Sequence, residues 1–295
     1  MTDRAVASFL GAAIGDALGA TTEFLLPEEI RAKFGVHDRI AGGGWLKLKP
    51  GRVTDDTEMS LCLSQALLET REFDVAAVAE RFAAWLRGRP TDVGATCRSG
   101  IRGYILKNRL EAPFNEWAAG NGALMRIAPA ALFSLGDDAL LERVAIGQAH
   151  LTHNNPLSDA ACLCVGRMVH LALRGEGRSR LLREAESLVA AHPRFDFSRY
   201  RGEASAYVVH TVQTVFHFFF GTRSFEECLV GVVNRGEDAD TTGAIAGMIA
   251  GAYYGTAGIP ERWRRALHPP VAAEVEDAAA RLIRRSPAFR ESEGT

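Results

Sequence analysis

Apolar residues recur at spacings of three and four along most of the chain. Glu58–Thr70, Asp74–Leu86, Leu140–His150, Ser158–Leu173 and Ala272–Ile283 all carry this spacing, which gathers the apolar positions on one face of a helix. Runs that alternate apolar and polar residues, the mark of a half-buried strand, are nearly absent. Short breaks rich in Pro, Gly, Asn and Asp separate the periodic segments: Arg89-Pro90-Thr91-Asp92, Asn154-Asn155-Pro156, His192-Pro193 and His268-Pro269-Pro270. No compositional shift marks a domain boundary and no low-complexity tract interrupts the pattern. It predicts an all-α fold, a single compact multi-helix domain over residues 1–295.

Two segments carry glycine in helical register: Gly11, Gly15 and Gly19, and then Gly243, Gly247, Gly251 and Gly255. Glycine inside a helix costs about 1 kcal/mol relative to alanine. Repeated every four residues, it predicts a ridge against which another backbone packs closely. Both ridges lie beside acids, Asp16 and Glu23 for the first and Asp238 and Asp240 for the second. The stretches Ala204–Thr222 and Thr241–Pro260 lack charge and approach the length of a membrane span. The first holds His210, Gln213 and His217 and the second is rich in small residues, so both are expected to be buried helices rather than membrane-inserted ones. The apolar run Ala5–Gly15 follows Asp3 and meets Asp16, which argues against a secretory signal.

Composition narrows the class. The chain has 295 residues, 47% of them apolar and 24% charged, with a net charge of -2. Such a balance supplies no bulk attraction to nucleic acid or to an anionic membrane. The 5 cysteines include no C-x-x-C pair, which fits reduced thiols in a cytoplasmic protein.

The candidate chemistry is carboxylate chemistry. Thr54-Asp55-Asp56-Thr57-Glu58 and Glu237-Asp238-Ala239-Asp240-Thr241-Thr242 each stand directly ahead of an apolar helix. Taken singly, either reads as a helix cap, with Thr or Asp capping and acids favoured by the dipole. Adjacent carboxylates cannot both cap, and a helix dipole stabilises an acid by only roughly 0.3–1 kcal/mol. If the two helix starts face each other, their carboxylates and Thr hydroxyls converge and require cations. All-oxygen ligands favour Mg²⁺ or Mn²⁺, and the number of oxygens suggests two ions sharing a water of lowered pKa. Asp92 reads as a cap of the next helix or as a further acid. Gly120-Asn121-Gly122-Ala123-Leu124-Met125-Arg126 reads as a plain turn or as a loop whose N–H groups approach phosphates. His153 sits in a turn-rich stretch and Tyr207 heads an apolar helix, where both have ordinary structural readings. Walker, G-x-G-x-x-G, G-x-S-x-G and H-E-x-x-H patterns are absent.

In order, Gly42-Gly43-Gly44-Trp45, Thr54-Asp55-Asp56-Thr57-Glu58-Met59-Ser60-Leu61, Asn121-Gly122-Ala123-Leu124-Met125-Arg126 and Gly236-Glu237-Asp238-Ala239-Asp240-Thr241-Thr242-Gly243 resemble the ADP-ribosylglycohydrolase family. The resemblance runs from about Gly11 to His268, and the first run is similar to its bacterial dinitrogenase reductase-activating branch. It implies an all-α fold with a binuclear Mn²⁺ (or Mg²⁺) centre in a cleft. Thr54, Asp55, Asp56, Asp238, Asp240 and Thr241 would be the metal ligands. Asp92 would be the catalytic carboxylate, with Glu23 and Asp55 as contenders. Asn121, Gly122 and His153 would contact ADP-ribose, Gly94 would lie near the phosphates, and Tyr207 would stack on the adenine. The implied reaction is hydrolysis of the N-glycosidic bond between ADP-ribose and arginine, with ADP-ribosylated dinitrogenase reductase as substrate. The branch further implies a PII-type signalling protein and an ammonium transporter as partners, holding a cytoplasmic enzyme at the membrane surface. Two alternatives remain open on the residues: another ADP-ribosyl linkage (serine, nucleic acid or a small metabolite), and a non-catalytic ADP-ribose-binding or structural protein.

Overall fold

The computed structural model describes residues 1–70 and 72–293. Its helices are, in the first half, α1 (Thr2–Gly19), α2 (Pro27–Phe34), α3 (Asp55–Glu69), α4 (Val75–Arg87), α5 (Ala95–Lys107), α6 (Ala128–Ser134) and α7 (Asp138–His150). Then follow α8 (Pro156–Leu173), α9 (Arg178–Ala191), α10 (Val208–Gly221), α11 (Phe225–Val233), α12 (Ala239–Tyr254), α13 (Glu261–Ala266), α14 (Pro269–Arg285) and α15 (Pro287–Glu293). No strand forms among the described residues, where pairing is limited to the isolated bridges Gly43–Leu48 and Gly120–Tyr207. The periodic segments fall on α3, α4, α7, α8 and α14. Four of these begin ahead of their apolar period, because their first turns hold Asp or Pro, which favour a helix start without contributing to an apolar stripe.

The centre of the molecule is an antiparallel pair, α1 against α12, and the two glycine ridges are its contact. A Cβ added at Gly15 would stand 2.0 Å from the Gly243 carbonyl oxygen, and one at Gly247 would stand 2.0 Å from that of Gly11. Gly251 meets the Ala7 carbonyl and Gly19 that of Ala239 in the same way. The backbones therefore touch along four turns with no side chain between them. Gly255 departs from the predicted ridge: its φ of 72° ends α12, and its nearest neighbour is the Asp3 carboxylate. From Ala239 to Ala252 every residue of α12 is buried, so the charge-free stretch is a core helix. The second charge-free stretch forms α10, which buries Val208, Val212, Val215, Phe216 and Phe219. By length and composition one described helix could cross a membrane, α8, and 61% of it is buried inside the protein. A continuous apolar core extends from Ala5 to Ile283.

Running antiparallel, the pair sets the end of α1 beside the start of α12. Asp16 and Glu23 thereby come to the same pole as Asp238 and Asp240.

The glycine contact predicts opposite outcomes for two substitutions. Gly15→Ala should destabilise the fold by about 3 kcal/mol, the upper end of over-packing costs, because the clash is with backbone that cannot rotate away. Gly103→Ala, inside α5 with open space at its Cβ, should stabilise by up to about 1 kcal/mol. Chemical denaturation of the two variants checks both signs.

Candidate functional site

Three helix ends build the polar pole. Asp16, fully buried near the end of α1, accepts from the Thr54 N–H at 3.0 Å, the Thr57 N–H at 3.1 Å and the Thr57 hydroxyl. It caps the start of α3 from 38 positions away in sequence. Thr54 therefore forms no capping bond of its own, and Glu58 accepts from the Trp85 indole instead of closing a capping box. With the cap supplied from α1, the side chains of Asp55 and Asp56 remain available to the pole. Asp56 Oδ2 accepts from the Thr54 hydroxyl at 3.0 Å and from the Thr241 hydroxyl at 3.3 Å. The second contact spans 185 positions and shows that the starts of α3 and α12 face each other.

The start of α12 is arranged similarly. Asp238 occupies its N-cap with no side-chain capping bond and accepts from the Asn121 amide. Asp240 Oδ1 accepts from the Thr241 N–H at 2.8 Å. Glu237, at φ 52°, turns its carboxylate away to the Ala204 N–H, while its own carbonyl accepts from Phe24 N–H at 2.7 Å. Glu23 accepts from the Trp45 indole N–H at 2.5 Å. One carboxylate oxygen from each of Glu23, Asp238 and Asp240 lies within 4.8 Å of the others.

This concentration of negative charge lacks a cationic partner. Among the described residues no ion pair involves Asp16, Glu23, Asp55, Asp56, Asp92, Asp238 or Asp240. Burial, reinforced by the neighbouring carboxylates, pushes Glu23 up to about 8 and Asp55 up to about 7. Burial likewise pushes Asp16 to about 7, and Asp56 and Asp240 well above the carboxylate range. Asp56 Oδ1 is buried with no hydrogen-bond partner. An orphaned carboxylate oxygen inside an all-oxygen anionic cluster is the donor set that a hard divalent cation fits.

Beside the cluster opens a cleft of about 440 Å³. Glu23, Asp55, Asp92, Asp238, Asp240 and Thr241 line it together with Gly94, Asn121, Gly122 and His153, whereas Thr54 and Asp56 lie buried behind it. Gly94 is the N-cap of α5 and makes no side-chain capping bond. Its N–H donates to Asp55 Oδ2 at 3.1 Å and so holds that carboxylate, leaving the next amides of the first turn as the free donors. The cap reading of Asp92 does not hold, since Gly94 is the N-cap; Asp92 is half-buried before α5, and burial raises it against the opposing pull of the Val93 N–H and the Arg98 charge. Tyr207 is absent from the lining: it is half-buried at the head of α10, with its ring against His210 at 5.1 Å and its backbone bridged to Gly120.

The His153 side of the cleft is held by a residue that sequence reasoning passed over. Arg126 is fully buried without a carboxylate partner. It lies over the Phe82 ring at 4.6 Å and donates to Gln148 and to the Thr152 hydroxyl at 2.8 Å. That hydroxyl in turn hydrogen-bonds His153 Nδ1 at 2.8 Å and so holds the orientation of the imidazole. Burial and then the Arg126 charge hold His153 down at about 3, so it stays neutral. Gly120 and Gly122 make room for this ring: a Cβ at Gly122 would lie 2.8 Å from His153 Cε1. The signal for Arg126 was its place at the end of the glycine loop, but burial of an unpaired cation cannot be read from spacing.

The fold agrees with the comparisons. The ADP-ribosylglycohydrolase family profile matches residues 1–290, and the chain belongs to this family. It is 53% identical over 281 residues to the ADP-ribosyl-[dinitrogen reductase] glycohydrolase of Rhodospirillum rubrum, covering 95% of this chain and 96% of that one. It is 32% identical to an ADP-ribosylarginine hydrolase of Pseudomonas putida, over 88% of this chain and 73% of the relative. A solved structure described as an ADP-ribosylglycohydrolase-related protein complex superposes with a TM-score of 0.86 at 36% identity, covering 96% of this chain and 98% of its own.

The raised carboxylates make a prediction about the cation-free protein. An acid whose folded pKa is raised stabilises the fold below its unfolded pKa of about 4, and this contribution is lost as pH rises through the folded value. For Glu23, Asp55 and Asp16 that loss falls between pH 4 and about 8. The rise in Tm on adding Mn²⁺ or Mg²⁺ to chelator-treated protein should therefore be larger at pH 8 than at pH 5. An equal rise at both, or none, would contradict the cluster's fit to a cation.

Proposed function

We propose that this chain hydrolyses the N-glycosidic bond between ADP-ribose and an arginine side chain, with ADP-ribosylated dinitrogenase reductase as its protein target. The observation that carries the reading is the facing of two helix starts beside one cleft, which their unpaired acids line together with Asn121, Gly122 and His153. The named activities of the Rhodospirillum and Pseudomonas relatives support the linkage, and the first supports the target and a part in regulating nitrogen fixation. Five unpaired cysteines suit a cytoplasmic enzyme.

Two divalent cations, Mn²⁺ or Mg²⁺, would be held by Thr54, Asp55 and Asp56 from α3 and by Asp238, Asp240 and Thr241 from α12. When bound they supply Lewis acidity and lower the pKa of water. The chain's own residues orient the substrate. The uncapped first turn of α5 after Gly94 offers N–H groups and a positive dipole end to the diphosphate. The His153 imidazole and Gly122, packed against each other, line the cleft beside it. Asn121, held between Thr211 and Asp238, links that side of the cleft to the acids. In the reaction the bond from the anomeric carbon to the guanidino nitrogen breaks, water oxygen takes its place, and a proton passes to the leaving arginine. Asp92 is assigned the proton transfer, because it lines the cleft and, unlike Asp55 and Glu23, is not latched to another segment. Tyr207 is the platform this reading expects for the adenine: it stands at the head of α10, bridged to Gly120 and next to Ala206, both of which line the cleft. A PII-type protein and an ammonium transporter are the partners this reading expects at the membrane surface, through protein contacts and without insertion.

Incubation with ADP-ribosyl-arginine, following free ADP-ribose by chromatography, should give release with Mn²⁺ or Mg²⁺ and none with EDTA. Asp92→Asn should lower kcat by about 100-fold or more at unchanged Tm. Wild-type turnover in that variant would remove Asp92 from the chemistry, and release in EDTA would defeat the metal-dependent reading. Serine-linked ADP-ribose should be released far more slowly than arginine-linked; the reverse would favour the alternative linkage.

A further inference from the structure

The cleft has one edge that the reaction above does not use. Phe24 and Trp45 both line it, and both are large aromatics left open to solvent, 63% and 50% exposed. Their rings lie 5.2 Å apart at an interplanar angle of 57°, forming a continuous apolar step.

The step is built, not incidental. Phe24 adopts a φ of 60°, a conformation that bulky side chains rarely take. It is held there by its N–H on the Glu237 carbonyl and by the Glu237 N–H on the Leu25 carbonyl at 3.0 Å. Trp45 is brought in by Gly44, whose φ of 65° and close approach to the Ala20 carbonyl admit no side chain. The indole is then fixed by its N–H on Glu23. Both rings are thus anchored to the end of α1 and the start of α12, the elements that carry the acids.

Aromatic faces beside carboxylates form an environment selective for a planar cation. A guanidinium stacks on aromatic rings and is attracted by their quadrupole, while neighbouring carboxylates answer its charge. Glu23 and Asp92 supply those carboxylates, and Asp92 is close enough that its charge raises Glu23. An adenine on the same step would gain the stacking but nothing from the acids. We propose that Trp45 and Phe24 form the subsite for the arginine side chain of the substrate, and that they determine the enzyme's preference for an arginine linkage. The inference rests on the arginine-linked reading above and adds the residues that read the leaving group.

The test compares wild type with Trp45→Ala, Phe24→Ala and Trp45→Phe. Wild-type release from ADP-ribosyl-arginine is measured first, and its absence would count against the proposed function itself. Given that release, each alanine variant should raise KM for ADP-ribosyl-arginine by roughly 3- to 30-fold. Each should weaken inhibition by agmatine, a free guanidinium probe, by a similar factor. Calorimetric affinity for ADP-ribose alone should stay within about twofold. Trp45→Phe keeps the ring but loses the N–H to Glu23, so it should restore KM and agmatine inhibition. Weakened ADP-ribose binding in the alanine variants would make the step an adenine platform and overturn the proposal. Loss confined to kcat would overturn it too, since Trp45 would then act only by holding Glu23. A Trp45→Phe variant as impaired in KM as Trp45→Ala would likewise assign the effect to the N–H and not to the face.

Discussion

The site depends on a contact in which no side chain takes part. α1 and α12 touch backbone to backbone because Gly11, Gly15 and Gly19 face Gly247, Gly243 and the start of α12. At that separation the register of the two helices is fixed to within a fraction of a turn, since any slide would drive a Cβ into a carbonyl. A rigid register is what an anionic site needs. Carboxylates that repel one another stay together only if the elements carrying them cannot move apart, and here the repulsion acts at one end of the most tightly packed pair in the molecule.

From that pair the rest of the pole follows. Asp16, carried on α1, reaches across to cap α3, which sets the orientation of that helix and leaves Asp55 and Asp56 for the cleft. Asp56 in turn meets Thr241 on α12, closing a circuit through α1, α3 and α12. A buried cap of this kind is an electrostatic compromise. Burial raises Asp16, while the Thr57 and Thr54 donors pull it back toward ionisation. The same low-dielectric setting that makes the unpartnered oxygen of Asp56 costly makes a bound cation worth more there than at the surface.

Much of this was legible in the sequence, for physical reasons that differ by feature. The helices were visible because one face of each is buried, and the glycine ridges because glycine at period four has few other uses. The acidic motifs were visible as chemistry, since adjacent carboxylates exceed what capping requires. Their facing geometry came only from resemblance until the structure supplied it. The role of Asp16 was hidden because a cap from 38 positions away leaves no local pattern. Arg126 was hidden because an unpaired buried cation looks, in sequence, like a surface arginine. The setting of Tyr207 was hidden too, because its ring contact with His210 and its backbone bridge to Gly120 join segments far apart in the chain or depend on the local turn.

As proposed, the starts of α3 and α12 together hold a pair of hard cations beside the cleft. Titration of metal-free protein with Mn²⁺, followed by electron paramagnetic resonance, tests it most directly. Two ions should bind per chain and give an exchange-coupled spectrum, because the ligands offered by the two helix starts lie in contact with each other. An isolated six-line signal from a single bound ion, or no binding, would contradict it.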